Sequence, residues 1–397
     1  MEHLYEYSDQ QLSRIPHRFH RYLYDRIHWK SRLIGIKGAR GTGKTTLLLQ
    51  YLARQNKQAP EVVYLSLDDL YFTTHSLVDT ISSVYKEGGL VIGLDEVHKY
   101  PGWAREVKIV YDRYPDLQLV FTGSSIIDMA KEEGDLSRRM VLYELYGLSY
   151  REYLHFAHNM PFKPIVLNEL LGSSTQLRTL FPKEFRPLKF FRDYLQHGYY
   201  PFFIEETETF GVRLNQLLRM TIEYDLAELK NFDIRNAKKL LQLLSIIAES
   251  VPFKPNISKL AQKTGIHRNS LVNYLHHLEQ ARLISLLYPS GQSTATLQKP
   301  EKIALQNTNL SWVLSNFRPD AGNLRETFVL SQLSVDHQVS YPAIGDFLVD
   351  KNLLLEIGGK AKSKEQIRDF NNARLVVDDI EFPTAGRLPL WLFGFLY

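Results

Sequence analysis

The sequence lacks several features that mark common protein classes. Its 397 residues contain no cysteine, which excludes disulfides, thiolate metal sites and cysteine nucleophiles. No apolar run reaches the roughly 20 residues that cross a bilayer, and the N-terminus lacks the apolar stretch of about 7–15 residues found in a signal peptide. The formal net charge is only +4, a surplus too small to identify a nucleic-acid partner by itself. We therefore expect a cytoplasmic protein without a membrane segment.

The first 150 residues alternate apolar strands with helical stretches. The predicted strands are Arg32–Lys37, Val62–Leu67, Leu90–Leu94, Leu117–Thr122 and Val141–Leu145. Strands that alternate with helices are joined by crossover connections, which produce a parallel sheet. The pattern therefore predicts an α/β fold in which helices cover both faces of a parallel sheet.

A glycine-rich loop follows the first predicted strand. Residues 38–45 read GARGTGKT and fit the pattern G-x-x-x-x-G-K-[ST] between a strand and a helix. The backbone N–H groups of such a loop face phosphate oxygens, and the N-terminus of the next helix favours negative charge. Lys44 would neutralise the β- and γ-phosphates, and the Thr45 hydroxyl would bind Mg²⁺. The predicted nucleotide-binding residues are Gly38, Ala39, Arg40, Gly41, Thr42, Gly43, Lys44, Thr45 and Thr46.

Two carboxylates end the third predicted strand. Asp95 and Glu96 follow the apolar residues 91–94, and ligands bind at the carboxyl ends of strands in an open parallel sheet. Asp95 would hold Mg²⁺ through water, and Glu96 would polarise an attacking water molecule. Taken alone, the pair would equally suit a solvated helix cap. The loop at residues 38–45 favours the catalytic interpretation.

The fourth predicted strand also ends in polar residues. Phe121–Ser125 reads FTGSS, and a small polar residue here can contact the γ-phosphate and orient water. Ser124 is our candidate for this catalytic role. The alternative is that Ser124 or Ser125 caps the following helix.

Together, these motifs resemble the AAA-type ATPases of bacteria and archaea, within the P-loop NTPases. More narrowly, the chain is similar to the family that carries a winged helix and a restriction-endonuclease-like domain after the ATPase core. The resemblance rests on the loop at 38–45, the LVIGLDE strand, the FTGSS strand end and the segment SRRMVLYELYGLSYREYL. It implies that Arg138 or Arg139, with Arg139 our choice, acts as an arginine finger on the phosphate of a neighbouring subunit. A surface salt bridge is the alternative.

The same resemblance divides the chain into four segments. Residues 1–150 form the ATPase core with a helical lead-in, 151–250 a helical lid, 251–298 a winged helix, and 299–397 an α/β nuclease-like domain. The final ten residues, LPLWLFGFLY, read as a buried strand.

Two segments carry an excess of basic residues. Between residues 12 and 44, nine lysines or arginines face one acid, a distribution that suits either a phosphate backbone or a solvated helix face. Residues 257–264 and 269–280 form a predicted helix-turn-helix with Gly265 at the turn. Its second helix presents outward Arg268, Asn269, Asn273 and His277, and arginine and asparagine suit base edges. Bridging between domains remains the alternative to DNA contact.

A second metal site follows from the resemblance. Glu326, Asp346 and Glu356 supply the carboxylates that hold Mg²⁺ in a nuclease-like domain, where a lysine two positions after the last carboxylate stabilises charge at phosphorus. Gly358 occupies that lysine position here, so that Lys360 would substitute only if the strand bulges. A fold kept without its chemistry is the alternative.

The motifs predict an ATP hydrolase that uses ATP and Mg²⁺. Its turnover would be coupled to nucleic acid through the winged helix and nuclease-like domain. Alternatively, the protein is a nucleotide-controlled switch that recruits a protein partner, with an inactive C-terminal domain. DNA, a protein partner and a second copy of this chain stay open as partners, and no membrane is expected.

Overall fold

The structure is a computed structural model of the chain. It describes residues 1–16, 18–124, 136, 138–172, 174–228, 232–249, 255–290, 300–384 and 386–397. Ser125 and Ser137, which belong to the FTGSS and SRRM motifs, lie outside these residues. The chain divides into two compact units, Met1–Gly147 and Leu148–Tyr397. The further division of the second unit into three domains stays a prediction.

The first unit alternates strands and helices. Its strands are β1 (Leu33–Gly38), β2 (Val62–Ser66), β3 (Val91–Asp95), β4 (Gln118–Ser124) and β5 (Val141–Glu144). Its helices are α1 (Glu2–Arg14), α2 (Tyr22–Arg26), α3 (Lys44–Ala53), α4 (Leu77–Lys86) and α5 (Trp103–Arg113), with short 3-10 turns at Leu70–Thr73 and Val97–Lys99. The strands predicted from the apolar runs are confirmed to within two residues at each end.

These strands form one parallel sheet in the order β2-β3-β4-β1-β5. Strand β1 lies next to β4, and β4 next to β3, so the carboxyl ends of β1, β3 and β4 meet at one edge of the sheet. The predicted parallel α/β fold is therefore confirmed for this unit. The edge where these three strands end is where an open parallel sheet binds ligands.

Gly93 allows helix α3 to lie close to β3. A Cβ atom at this position would be 2.5 Å from Leu52 Cδ1 and 3.1 Å from Leu48 Cδ1. Both leucines belong to α3 and are fully buried. Because Gly93 has no side chain, the helix that follows the glycine-rich loop can lie close to the strand that ends in Asp95.

The second unit begins with helices and continues with strands and helices. Its helices are α6 (Tyr150–His158), α7 (Leu167–Leu170), α8 (Ser174–Thr179), α9 (Pro187–His197), α10 (Phe210–Met220), α11 (Ala237–Glu249), α12 (Ile257–Thr264), α13 (Arg268–Gln280), α14 (Thr308–Leu314) and α15 (Ala321–Leu333). Its strands are β6 (Ile284–Leu287), β7 (Lys302–Leu305), β8 (Val339–Ser340), β9 (Phe347–Val349), β10 (Leu353–Gly358), β11 (Ala373–Val377) and β12 (Arg387–Pro389).

Helices α12 and α13 form the predicted helix pair. Asn256 caps α12 by accepting a hydrogen bond from the backbone N–H of Lys259, and Gly265 takes a left-handed conformation with φ +64° at the turn. Strands β6 and β7 follow as an antiparallel pair. Helix α11 packs against α12 and against β7, which completes an arrangement of three helices and a two-stranded ribbon.

Strands β8 to β12 form a mixed sheet in the order β12-β11-β10-β9-β8. Helix α15 packs against β10 and against the C-terminal residues. The expectation of a final buried strand was wrong in part: only Arg387–Pro389 is a strand, and Leu390–Phe395 forms a 3-10 helix. Burial alone misled the interpretation, because every residue of this turn is buried and an apolar run does not distinguish a strand from a buried helix.

The close approach at Gly93 leads to a stability prediction. Gly93→Val should lower the free energy of unfolding by about 1–3 kcal/mol, because overpacking forces neighbouring side chains from their rotamers. Gly93→Ala should cost less, since the nearest atoms are the mobile ends of leucines. Urea unfolding of both variants measures the difference. A Gly93→Val protein as stable as the original would contradict the close packing.

Candidate nucleotide-binding site

The glycine-rich loop joins β1 to α3 and has the backbone that a phosphate cradle needs. Gly41 and Gly43 have φ values of +81° and +92°, a region that residues with a side chain rarely adopt. Helix α3 begins directly after Gly43, and among the described residues no side chain caps it. The N–H groups of a helix N-terminus and the helix dipole favour negative charge there.

Lys44 lies across the loop. Its side-chain Nζ donates hydrogen bonds to the carbonyl oxygens of Gly38 at 3.0 Å and of Ala39 at 2.9 Å, and the residue is only 6% exposed. A buried ammonium needs negative partners. The carbonyl groups supply only partial charge, so phosphate oxygens would be stronger partners for the same group. The cradle therefore fits the polyphosphate predicted from the sequence.

Asp95 is the centre of the site. This residue is 3% exposed, and its carboxylate accepts hydrogen bonds from three hydroxyls. Thr45 and Tyr64 donate to Oδ2 at 2.9 Å and 2.8 Å, and Thr122 donates to Oδ1. Burial, together with the negative charge of Asp95, raises the pKa of Tyr64 well above its usual value, so this phenol stays a donor. Thr45 and Asp95 thus present two hard oxygen ligands side by side, as Mg²⁺ prefers.

Glu96 follows in a left-handed conformation, with φ +54° and ψ +42°. Its backbone N–H donates to Thr122 Oγ1 at 3.2 Å, so Thr122 contacts both acidic residues. The Glu96 side chain is 31% exposed, and its Oε2 lies 3.2 Å from His98 Nε2. Its partial exposure lets the carboxylate reach solvent water, as a general base must.

The other predicted residues take varied positions. Ser124 ends β4, is buried, and pairs in register with Gly38, which places it next to the loop. Thr46 is exposed. Arg139 forms a two-point ion pair with Asp112 of α5, at 2.8 Å and 3.0 Å, so within this chain it takes the salt-bridge arrangement that was the alternative to the finger. The arginine finger stays a prediction, since it depends on a neighbouring subunit.

Three contacts at this site were missed from the sequence. Thr122 belongs to the FTGSS strand end, for which the sequence analysis selected Ser124. In the sheet, Thr122 stands almost opposite Asp95 on the adjacent strand. Tyr64 carries no local signal, because its role depends on the pairing of β2 with β3. His98 lies two residues after Glu96 with a side chain only 6% exposed, and no pattern used above marks it.

The predicted second metal site differs from the expectation. Lys302 forms an ion pair with Glu326, and Lys362 Nζ lies 2.5 Å from Glu356 Oε1. Burial, with the neighbouring carboxylates, raises the pKa of both glutamates, while the Glu356 hydrogen bond raises that of Lys362. Asp346 accepts a hydrogen bond from the backbone N–H of Ile357. In the parts of the chain given above, no group of three or more histidine, aspartate or glutamate side chains is arranged to hold a metal.

Lys362, not Lys360, is the lysine that contacts Glu356. Lys360 is exposed, whereas Lys362 reaches Glu356 from beyond the strand. A Cβ atom at Gly358 would lie 2.5 Å from Lys362 Cβ, so the glycine leaves the room that this lysine fills. The turn after β10 returns Lys362 to the strand, a path that spacing along the chain does not reveal.

Two segments of the chain match known family models. Residues 30–154 match the family AAA_14, described as an AAA domain, and residues 188–321 match DUF8612, a domain of unknown function. The first match covers the loop, Asp95, Glu96 and all five strands. Residues 30–154 are therefore similar to an AAA domain.

Comparison with whole proteins finds only distant similarity. The uncharacterized protein MJ1637 of Methanocaldococcus jannaschii is 29% identical over 292 residues, which are 69% of this chain and 60% of that protein. The chain thus spans less than two thirds of this relative. AMPPCP-bound DnaA from Aquifex aeolicus is 16% identical with a TM-score of 0.25, over 65% of this chain and 84% of that one. The S. cerevisiae Hsp104–ADP complex is 15% identical with a TM-score of 0.30, over 68% and 41%. At these TM-scores the chains superpose poorly.

The double contact of Thr122 leads to a prediction. Thr122→Val keeps the shape but removes the donor to Asp95 and the acceptor for the Glu96 N–H. Turnover of ATP should fall by roughly tenfold or more, since a lost hydrogen bond to a charged group is worth about 1.5–3 kcal/mol. Nucleotide affinity should change little, because Thr122 does not belong to the loop. Thr122→Ser, which keeps the hydroxyl, should retain most of the activity in a steady-state phosphate-release assay; equal loss in both variants would contradict the role.

Proposed function

We propose that the protein binds ATP with Mg²⁺ and hydrolyses it. The observation that carries this proposal is the contact between Thr45 and Asp95 beside the Lys44 cradle, because it joins the phosphate loop to the acidic strand end. The match of residues 30–154 to an AAA domain supports the same activity.

Each residue has a role that its position supports. Lys44 and the loop amides bind the β- and γ-phosphates, while Thr45 and Asp95 hold Mg²⁺. The metal ion, when bound, withdraws charge from the phosphate oxygens. Glu96 orients the attacking water and accepts its proton, and Ser124 contacts the γ-phosphate. A second copy of the chain could bring Arg139 to the phosphate, once it leaves Asp112.

We propose DNA as a partner of the second unit. Helices α11 to α13 with strands β6 and β7 have the order of elements of a winged helix. Arg268, Asn269 and Asn273 are exposed on α13, and Lys259 and Lys263 are exposed on the preceding helix. A helix that presents arginine and asparagine in this way suits the major groove, and the lysines suit phosphates.

The ion-paired carboxylates favour a C-terminal region without cleavage activity. Lys302 and Lys362 already neutralise two of the three acids that a nuclease would need as metal ligands. This arrangement supports the alternative interpretation, in which ATP controls a domain arrangement that recruits a partner.

Within the described residues, every helix is too short or too polar to cross a bilayer. The cytoplasmic location predicted from the sequence stays a proposal.

Substitutions of Lys44 and of Glu96 should have separate effects on ATP binding and on ATP hydrolysis. Lys44→Ala should abolish measurable ATP binding, because it removes the ammonium from the loop. Glu96→Gln should keep ATP binding and lower turnover by about 100-fold or more, the usual contribution of a general base. Calorimetry and phosphate release measure the two effects. Lys57→Ala, which removes an exposed surface charge paired with Glu61, is the control. Full turnover in Glu96→Gln would rule out its role as base.

The DNA proposal is tested on α13. Arg268→Ala with Asn273→Ala should weaken binding of duplex DNA by roughly tenfold for each lost base contact, or about 1–3 kcal/mol. Fluorescence anisotropy at fixed salt measures the affinity. Arg219→Ala removes an exposed arginine from α10 and is the matched control. If the original protein does not bind DNA at any salt concentration, the switch interpretation replaces this one.

A further inference from the structure

Arg21 is a buried arginine that contacts the phosphate loop. The residue is 5% exposed and precedes helix α2. Its guanidinium donates one hydrogen bond to the carbonyl oxygen of Thr42 at 2.5 Å and another to the carbonyl oxygen of Tyr146 at 2.7 Å. One planar group therefore joins the loop to the segment that leaves β5. A lysine would have to reach both carbonyl oxygens from a single nitrogen, whereas Arg21 reaches them from two different nitrogens of one planar group.

The hydrogen bond to Thr42 fixes the direction of the next amide. A peptide unit is planar and trans, so the carbonyl of one residue and the N–H of the following residue point in opposite directions. Because Arg21 holds the Thr42 carbonyl from outside the loop, the N–H of Gly43 points to the other side. In a G-x-x-x-x-G-K-[ST] loop the backbone N–H groups face the phosphates, so we assign that side to the nucleotide.

The surrounding structure holds Arg21 in place. Gln50 of α3 is 3% exposed, and its side-chain nitrogen donates to the carbonyls of Pro16 at 2.9 Å and Phe19 at 2.8 Å. The chain before Arg21 is thus fastened to the helix that follows the loop. On the other side, the Tyr22 hydroxyl donates to the carbonyl of Glu144 at 3.2 Å. Arg21 is therefore seated between two anchored segments.

The segment after β5 also lies against the loop. The Leu145 N–H donates to the carbonyl of Lys37 at 2.8 Å, and a Cβ atom at Gly38 would be 2.3 Å from the Leu145 carbonyl oxygen. Arg21 therefore bridges two backbone stretches that already touch at the base of the loop. Its two hydrogen bonds fix the loop from the side opposite to the nucleotide.

We propose that Arg21 is a positioning residue for ATP binding: it holds the Thr42 carbonyl outward, so that the Gly43 amide faces the phosphates before the nucleotide arrives. The proposal rests on the proposed ATPase function. Its effect is expected on nucleotide affinity rather than on the chemical step, because Arg21 contacts the loop and not Asp95 or Glu96. Preorganisation of this kind removes an ordering cost from binding.

The test compares Arg21→Ala and Arg21→Lys with Lys44→Ala in the full-length chain. Arg21→Ala should raise the Kd for ATP and for ADP roughly 10- to 100-fold, as expected for a lost hydrogen bond to a charged group. At saturating ATP, kcat should stay within about threefold of the original, so that KM carries the change. Arg21→Lys keeps the positive charge but loses the planar guanidinium with its two donor nitrogens. Its Kd for ATP should be at least about threefold higher than that of the original protein.

Two controls separate positioning from other effects. Arg26→Ala removes the same charge from the exposed end of the same helix, and its Kd should match that of the original protein. Guanidinium ion at low millimolar concentration should restore part of the affinity of Arg21→Ala, a rescue that a collapsed fold would not show. Urea unfolding reports whether each variant is folded.

The outcomes distinguish the two proposals. If the original protein binds ATP, Lys44→Ala does not, and Arg21→Lys binds as tightly as the original, then Arg21 has no positioning role and the ATPase proposal stands. If the original protein does not bind ATP, both proposals fail. If Arg21→Ala fails to fold, the Arg21→Lys variant decides. A higher Kd for ATP with unchanged kcat supports the positioning role. Equal losses of ATP affinity and of kcat overturn it.

Discussion

The candidate site depends on one buried carboxylate held by hydroxyl groups. Asp95 draws hydrogen bonds from α3, β2 and β4, so a single side chain connects the phosphate-loop helix with both neighbouring strands. A buried charge without such partners would destabilise the fold by several kcal/mol, roughly 3–5 when a buried pair is broken. The geometry of the proposed metal ligands, Thr45 and Asp95, is therefore tied to the stability of the sheet edge.

The phosphate loop is held in a similar way from two sides. Lys44 holds the carbonyls of Gly38 and Ala39 from within, and Arg21 holds the Thr42 carbonyl from outside. Glu96 adds a left-handed backbone that the N–H contact to Thr122 maintains. Non-glycine residues in this conformation are uncommon and concentrate at functional sites. The backbone of the site is thus held by contacts within the chain itself.

The sequence was sufficient to predict those residues of the site whose positions are fixed by a motif of regular spacing along the chain. The loop pattern fixes Lys44 and Thr45 relative to one helix, and Asp95 ends an apolar strand, so the motifs and the parallel sheet were both predictable. Arg21 and Tyr64 were not, because their contacts join residues 21 and 31 positions apart along the chain. In the basic stretch, charge alone favoured a surface role. The structure instead buries Arg21, and it places Arg32 over the ring of Tyr111.

The two acidic clusters of this protein show why ligand chemistry matters more than the number of carboxylates. Hydroxyls hold Asp95 without cancelling its charge, so a cation that arrives at this carboxylate meets an intact negative group. Glu326 and Glu356 instead contact ammonium groups, which a metal ion would first have to displace. Displacement would leave the Lys302 ammonium, whose side chain is only 6% exposed, without its carboxylate partner, which costs free energy unless phosphate enters at the same time. Carboxylates therefore suit the proposed metal site at Asp95, whereas those of Glu326 and Glu356 are already paired with lysines.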